Sequence, residues 1–210
     1  MLFYFLTFWI TAQNTAENYY TYKTDDFFNL AEVNMAIDLN HLDYELLQAA
    51  VFHASNQVRA QKNKPLYSNH VSLTTAARLH SLFLAEHKKF DHINRRDKEL
   101  RTPMQRITLA GGDFSSTAEN LAKVNVYELG KNREYFINAK GNLVKENGTP
   151  LPTHTYKSLA LHVVDGWMHS KGHRENLMAH FNYLGCGVSD ITFTPNKLAE
   201  IIITQNFGNQ

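Results

Sequence analysis

Residues 167–177 read Trp167-Met168-His169-Ser170-Lys171-Gly172-His173-Arg174-Glu175-Asn176-Leu177. Immediately upstream, Leu159, Ala160, Val163, Val164 and Trp167 recur at helical spacing, which predicts a helix from about Tyr156 to His169 with one apolar stripe turned inward. Gly172 is expected to break that helix, and His173 to open a second helix of one or two turns. Downstream, two apolar runs near Tyr183 to Ser189 and Leu198 to Asn206, joined through Pro195-Asn196, read as a pair of strands that close the chain.

Working toward the N-terminus, two longer helices stand out. The first is expected from about Asp43, its cap, to Lys62. Leu46, Leu47, Ala50, Val51, Ala54 and Val58 form its stripe, and Asn63 and Pro65 end it. The second is expected from about Ser72 to Lys89, burying Leu73, Ala76, Ala77, Phe83 and Leu84, with His80 and His87 on the same side. A histidine on an apolar face is usually a hydrogen-bonded core residue, so both are left out of the site. A short third helix starts at Thr102 as cap with Pro103 in its first position and Gln105 completing a capping box, and Gly111-Gly112 stops it. Residues 134–146 read as a β-hairpin turning at Lys140-Gly141-Asn142, and Pro150 and Pro152 mark a loop. Interleaved helices and antiparallel strands predict an α+β protein, layered as a three-layer α-β-α sandwich around a central antiparallel sheet.

The 210 residues, 43% of them hydrophobic, are enough for one sizeable domain with a continuous core. Twenty-one Lys and Arg against 20 Asp and Glu leave a net charge of +1, so no electrostatic footprint for nucleic acid or an anionic membrane is present. With one cysteine, Cys186, no intrachain disulfide can form. Its place between two glycines in a strand reads as a packed structural thiol. Met1 to Ile10 is almost wholly apolar but shorter than the roughly 20 residues of a membrane span. Residues 1–12 are therefore read as a signal peptide or an apolar N-terminal segment, which implies a secreted or periplasmic protein. Residues 13–42 are read as a polar lead-in, partly ordered at best, and residues 43–210 as the domain itself.

The chain has no Gly-x-Ser-x-Gly elbow, His-Glu-x-x-His helix, phosphate loop or dinucleotide-binding turn. Three motifs remain: Phe90-Asp91-His92-Ile93-Asn94; Ala118-Glu119-Asn120-Leu121, after a turn at Ser115-Ser116-Thr117; and the stretch around His173. Together with Asn56-Gln57-Val58-Arg59-Ala60-Gln61, Ala76-Ala77-Arg78-Leu79-His80-Ser81, Thr102-Pro103-Met104-Gln105-Arg106-Ile107 and Thr204-Gln205-Asn206-Phe207-Gly208, they resemble, in order, the CAP superfamily. This is the family of cysteine-rich secretory proteins, antigen 5 and pathogenesis-related 1 proteins, and the bacterial SCP-like branch is the nearer likeness. The resemblance runs from about Leu46 to Gly208.

The resemblance implies the sandwich just described, with a shallow cleft that in many relatives carries two His and two Glu able to bind zinc or another divalent ion. On the matching positions the metal-binding and candidate catalytic residues are His92, Glu119 and His173. Two departures stand out: Ala118 replaces the glycine before the family's Glu, and Ser170 replaces the second Glu. A His-Glu-His set could hold zinc and leave a position for water. The same residues could instead form a hydrogen-bonded network bracing the loops, with Asn120 and Asn176 suited to that role. His154 is a further residue able to approach the cleft, whereas His169 reads as a surface residue. The expected function is an exported binding or interaction module for a small hydrophobic ligand, a metal ion or an extracellular protein. The alternative is a metal-dependent hydrolase of peptides or cell-envelope polymers, and a third reading is a structural protein of the cell surface.

Overall fold

The structure is a computed structural model, which describes residues 19–129, 134–139 and 142–210. The apolar start at 1–12, the first residues of the lead-in and the Lys140-Gly141 part of the hairpin turn lie outside them.

Every main helix forms where an apolar stripe meets a cap. Helix α1 spans Thr24–Phe28. Helix α2 spans Tyr44–Gln61, and the Asp43 side chain accepts from Leu46 N at its start. Helix α3 spans Val71–His87, capped by His70 rather than starting at Ser72. Helix α4, Pro103–Leu109, has the full capping box between Thr102 and Gln105. Helix α5 spans Tyr156–His169, capped by Thr155. The break expected at Gly172 falls two residues earlier. Ser170 turns extended (φ −95°, ψ 126°), and Gly172 lies within helix α6, Lys171–Met178.

The strands are β1 (Ser68–Asn69), β2 (Ser116–Asn125), β3 (Phe136–Ile137), β4 (Leu143–Val144), β5 (Tyr183–Val188) and β6 (Glu200–Asn209). The main sheet runs β1-β5-β6-β2. Strands β5, β6 and β2 are antiparallel, and β1 joins β5 in parallel, so the sheet is mixed at one edge. The hairpin forms as expected, with Phe136 opposite Val144 and Ile137 opposite Leu143. Strand β2 departs from the reading of residues 115–117 as a turn: its sequence is polar enough to hide ten residues of strand.

Period-two alternation along the strands builds the layers. On β6, Ile201, Ile203 and Phe207 face one side and join Leu184, Cys186 and Val188 of β5 in the main core with α2 and α5. Ile202 faces the other side, against Leu84 of α3. On that second face Gly185 and Gly187 let α3 lie directly on β5; a β-carbon at either would overlap the helix backbone at Leu73–Thr74 or Ala77–Arg78. The result is the three-layer sandwich, with β1 and β2 as its two edges.

The lead-in is more ordered than its composition suggests. Phe27, Phe28, Val33 and Ile37 are buried in the main core. The Phe27 ring stacks on His53 of α2 at 4.2 Å, and Ile37 N donates to His154 O at 2.8 Å. Four anchors set among Asn, Thr, Tyr and Asp produce no periodic pattern, yet they fix the segment. No helix among the described residues is long and apolar enough to cross a membrane.

Candidate functional site

The β2 edge of the sheet brings the three motifs together. Glu119 and Asn120 are consecutive on β2, so their side chains leave opposite faces of the sheet. Glu119 points toward α3 and α4, and Asn120 toward α6. The cleft therefore straddles an edge strand, with His92 reaching it from one layer and His173 from the other.

Glu119 is buried, its side chain only 2% exposed, and both carboxylate oxygens are engaged. Oε2 accepts from Arg106 Nη2 at 2.6 Å. Asn206, turned so that its carboxamide satisfies both neighbours, donates to the same oxygen at 3.1 Å and accepts from Ala77 N at 3.1 Å. Oε1 accepts from His92 Nδ1 at 2.8 Å, with His80 Nε2 at 3.8 Å. Arg106 is equally buried, at 1% exposure, and its guanidinium also donates to the carbonyls of Leu100, Arg101 and His92. This one cation holds both the carboxylate and the loop that carries His92. A buried ion pair of this kind is tolerable because almost every donor and acceptor finds a partner; Arg106 Nε is the exception.

The histidines around the carboxylate behave differently. The hydrogen bond to Glu119 holds the His92 imidazolium together, raising its pKa above the ordinary histidine value against the opposing effect of burial. With Nδ1 fixed on the carboxylate and the side chain 48% exposed, Nε2 is the ring nitrogen left to meet a partner. That is the orientation of a proton acceptor braced by a carboxylate. His80 is fully buried, and burial pushes it down to about 4. Its Nε2–H donates to Asp91 O at 3.0 Å, fixing a neutral ring. His173 is lowered by burial and then by the nearby His92 charge.

Helix α6 is pinned to β2 by amides. Asn120 Nδ2 donates to His173 O at 3.2 Å, and Asn176 Nδ2 donates to Asn120 Oδ1 at 2.9 Å and to Glu119 O at 3.3 Å. Asn120 and Asn176 thus act as the loop-bracing pair that their positions suggest. His154 bonds Ser158 at 2.9 Å and stacks on His162, while its backbone N–H donates to Val126 O beyond the far end of β2 from Glu119. His169 is a surface residue, its side chain 79% exposed. Cys186 is free, fully buried and raised in pKa by that burial, as a packed thiol should be.

Sequence reasoning left out Arg106 and His80. The signal for Arg106 is an arginine one residue before the buried Ile107 in a helix short enough to turn little else inward. His80 gives no such signal, because the carbonyl it bonds and the carboxylate beside it come from other segments.

A divalent ion would need the Glu119 carboxylate, whose oxygens are taken by a guanidinium, an amide and an imidazole. Among the described residues no group of three or more His, Cys, Asp or Glu is spaced to hold a metal ion. As folded, the donor set does not fit an ion held by Glu119 unless Arg106 is displaced.

Residues 52–207 match the model of the family described as the cysteine-rich secretory protein family, CAP. No curated protein sequence matches the chain. Among solved structures, an extracellular protein containing an SCP domain from Bacillus anthracis is 21% identical with a TM-score of 0.52, over 80% of this chain and 41% of that one. An outer surface protein from Borrelia burgdorferi is 19% identical with a TM-score of 0.53, over 84% of this chain and 98% of that one. At these identities the likeness is one of fold, and the chain spans well under half the length of the Bacillus protein.

Proposed function

The chain belongs to the CAP family of cysteine-rich secretory proteins, and on that premise we propose that it is an exported binding module whose cleft presents His92 and His173 from a rigid polar frame. The observation that carries this reading is the engagement of Glu119 by Arg106 and His92 at 2.6 and 2.8 Å. A carboxylate locked in a buried ion pair is a structural brace and a poor ligand or base, because releasing it would strand a buried guanidinium. What the cleft offers a partner is then the His92 Nε2 and the His173 ring, both at the surface of that frame. A binding site built this way fixes orientation through a few polar groups.

Export is supported by the apolar start of the chain and by the extracellular and outer-surface relatives of the same fold. The partner class is an extracellular protein or a small hydrophobic ligand.

The deciding experiment is elemental analysis and zinc titration of the purified protein and of His92→Ala, beside hydrolysis assays on peptide and cell-envelope substrates. A binding module contains zinc well below one equivalent and turns nothing over. The metal-dependent hydrolase takes its place if zinc is stoichiometric and turnover disappears on chelation, returns with zinc, and is absent from both His92→Ala and His173→Ala.

A further inference from the structure

Residues 19–28 are fastened to α2 through one imidazole, away from the cleft. His53 lies on α2 and is 1% exposed. Both of its ring nitrogens are taken by that segment. Nε2 bonds Tyr19 O at 2.8 Å, and a carbonyl can only accept, so Nε2 carries the proton. Nδ1 is therefore a bare lone pair, and Thr24 Oγ1 donates to it at 3.3 Å. The neutral ring satisfies both partners as it stands.

The rest of its surroundings is aromatic. Phe27 stacks on the ring, Phe52 meets it edge-on at 5.3 Å and Phe28 at 6.3 Å, and Tyr19 packs against Phe27 at 5.9 Å. Charged groups stand on the elements around this cage: Lys23, Asp25 and Asp26 along the segment, Glu45 on α2, Arg78 on α3 and Lys157 on α5. None of them forms an ion pair with His53 among the described residues. The Lys157 ammonium, 5.4 Å from the centre of the Phe28 ring, is a like charge for any imidazolium there.

A protonated His53 fits this cage badly. Its new Nδ1–H would face the Thr24 hydroxyl hydrogen, which must turn away. Its charge would lose water to hydrocarbon, and aromatic faces return only part of that hydration. Burial outweighs the help of the Tyr19 carbonyl and holds the His53 pKa below the ordinary 6.5.

We propose that residues 19–28 form an acid-operated strap, clasped to α2 by neutral His53 and lifted when that ring takes up a proton. Only the lifted state gives the imidazolium water, so proton uptake and lifting are linked. The folded value is lowered, so the clasp is fully present above the ordinary 6.5 and weakens as pH falls from there through the folded value. Over that interval the lifted fraction rises by up to about tenfold per pH unit. Lifting bares Phe27, Phe28 and Phe52, all buried in the closed form. The backbone bond from Ile37 N to His154 O anchors the chain beyond the strap, so the segment hinges and stays attached. His154 is itself lowered by burial and stacks on His162 at 5.6 Å, which makes it the imidazole to control for.

The test is amide hydrogen exchange of the full chain by NMR between about pH 5 and pH 7.5, each rate divided by that of the unfolded chain at the same pH. In wild type, protection of the strap amides should fall by up to about tenfold per unit below the ordinary histidine value. It should stay well below the protection of β6 at every pH, which marks local opening. His53→Gln keeps an amide donor and cannot titrate, so its strap protection should not vary with pH. His154→Gln should vary as wild type does. An imidazole titration of wild type, which needs no variant, should find His53 as the Nε2–H tautomer, titrating below 6.5. The proposal is overturned if His53 titrates at or above that value, if strap protection is flat in wild type or equals that of β6 throughout, or if His53→Gln keeps the wild-type pH dependence.

Discussion

Glu119 and Arg106 share a buried contact of 2.6 Å, and the pair can be taken apart from either side. Glu119→Gln leaves a guanidinium buried without its countercharge and should cost roughly 3–5 kcal/mol by urea denaturation. Adding Arg106→Met to it should recover much of that loss, because no charge then remains to be solvated. A double variant as unstable as the single one would show that the pair is not what holds the loop. The two histidines beside Glu119 predict opposite pH responses. His92 is raised in the fold, so its contribution to stability is fully present below the unfolded histidine pKa and is lost as pH rises through the raised folded value. His80 is held at about 4, so stability is lost as pH falls from the unfolded value toward 4. A histidine NMR titration should find His92 titrating above pH 6.5 and His80 staying neutral until about pH 4. Both titrating together near the ordinary value would contradict the hydrogen-bond assignment. His92, Glu119 and His173 could be singled out in the sequence through their motifs. His80 could not, because the carbonyl and the carboxylate beside it come from other segments, and Arg106 showed only its place one residue before the buried Ile107.

Among the elements, the helices announced themselves and β2 did not. A helix repeats its apolar side every three or four residues and marks its ends with caps, as Asp43, Thr102 and Thr155 do. Strand β2 alternates Glu119 and Asn120 across two polar sites, so no apolar alternation survives to mark it. The contact between α3 and β5 depends on Gly187. Gly187→Ala would press a methyl into the backbone at Ala77 and Arg78 and should cost about 3 kcal/mol. Gly172→Ala is the contrast: it meets nothing within 4 Å in α6 and should stabilise by about 0.5–1 kcal/mol. Thermal melts of the two variants check both signs. If Gly187→Ala melts with wild type, α3 does not rest on β5 as described.

For the molecule as a whole, residues 24–37 are part of the core. Phe27→Ala removes a fully buried ring and should cost about 3–5 kcal/mol while unfolding stays a single transition. Limited proteolysis of the native protein should spare residues 24–42, and early cleavage there would contradict the packing. The sequence by itself determined the helices, their caps, the closing strand pair and the order of motifs that marks the family. Those follow from local periodicity and from which residues stop or start a turn. Only the tertiary structure decided that Glu119 pairs with Arg106, that the cleft wraps around an edge strand, and that the lead-in joins the core. Each of these depends on which segments the closed sheet brings within a few ångströms, and no local pattern of residues encodes a distance between segments far apart in the chain.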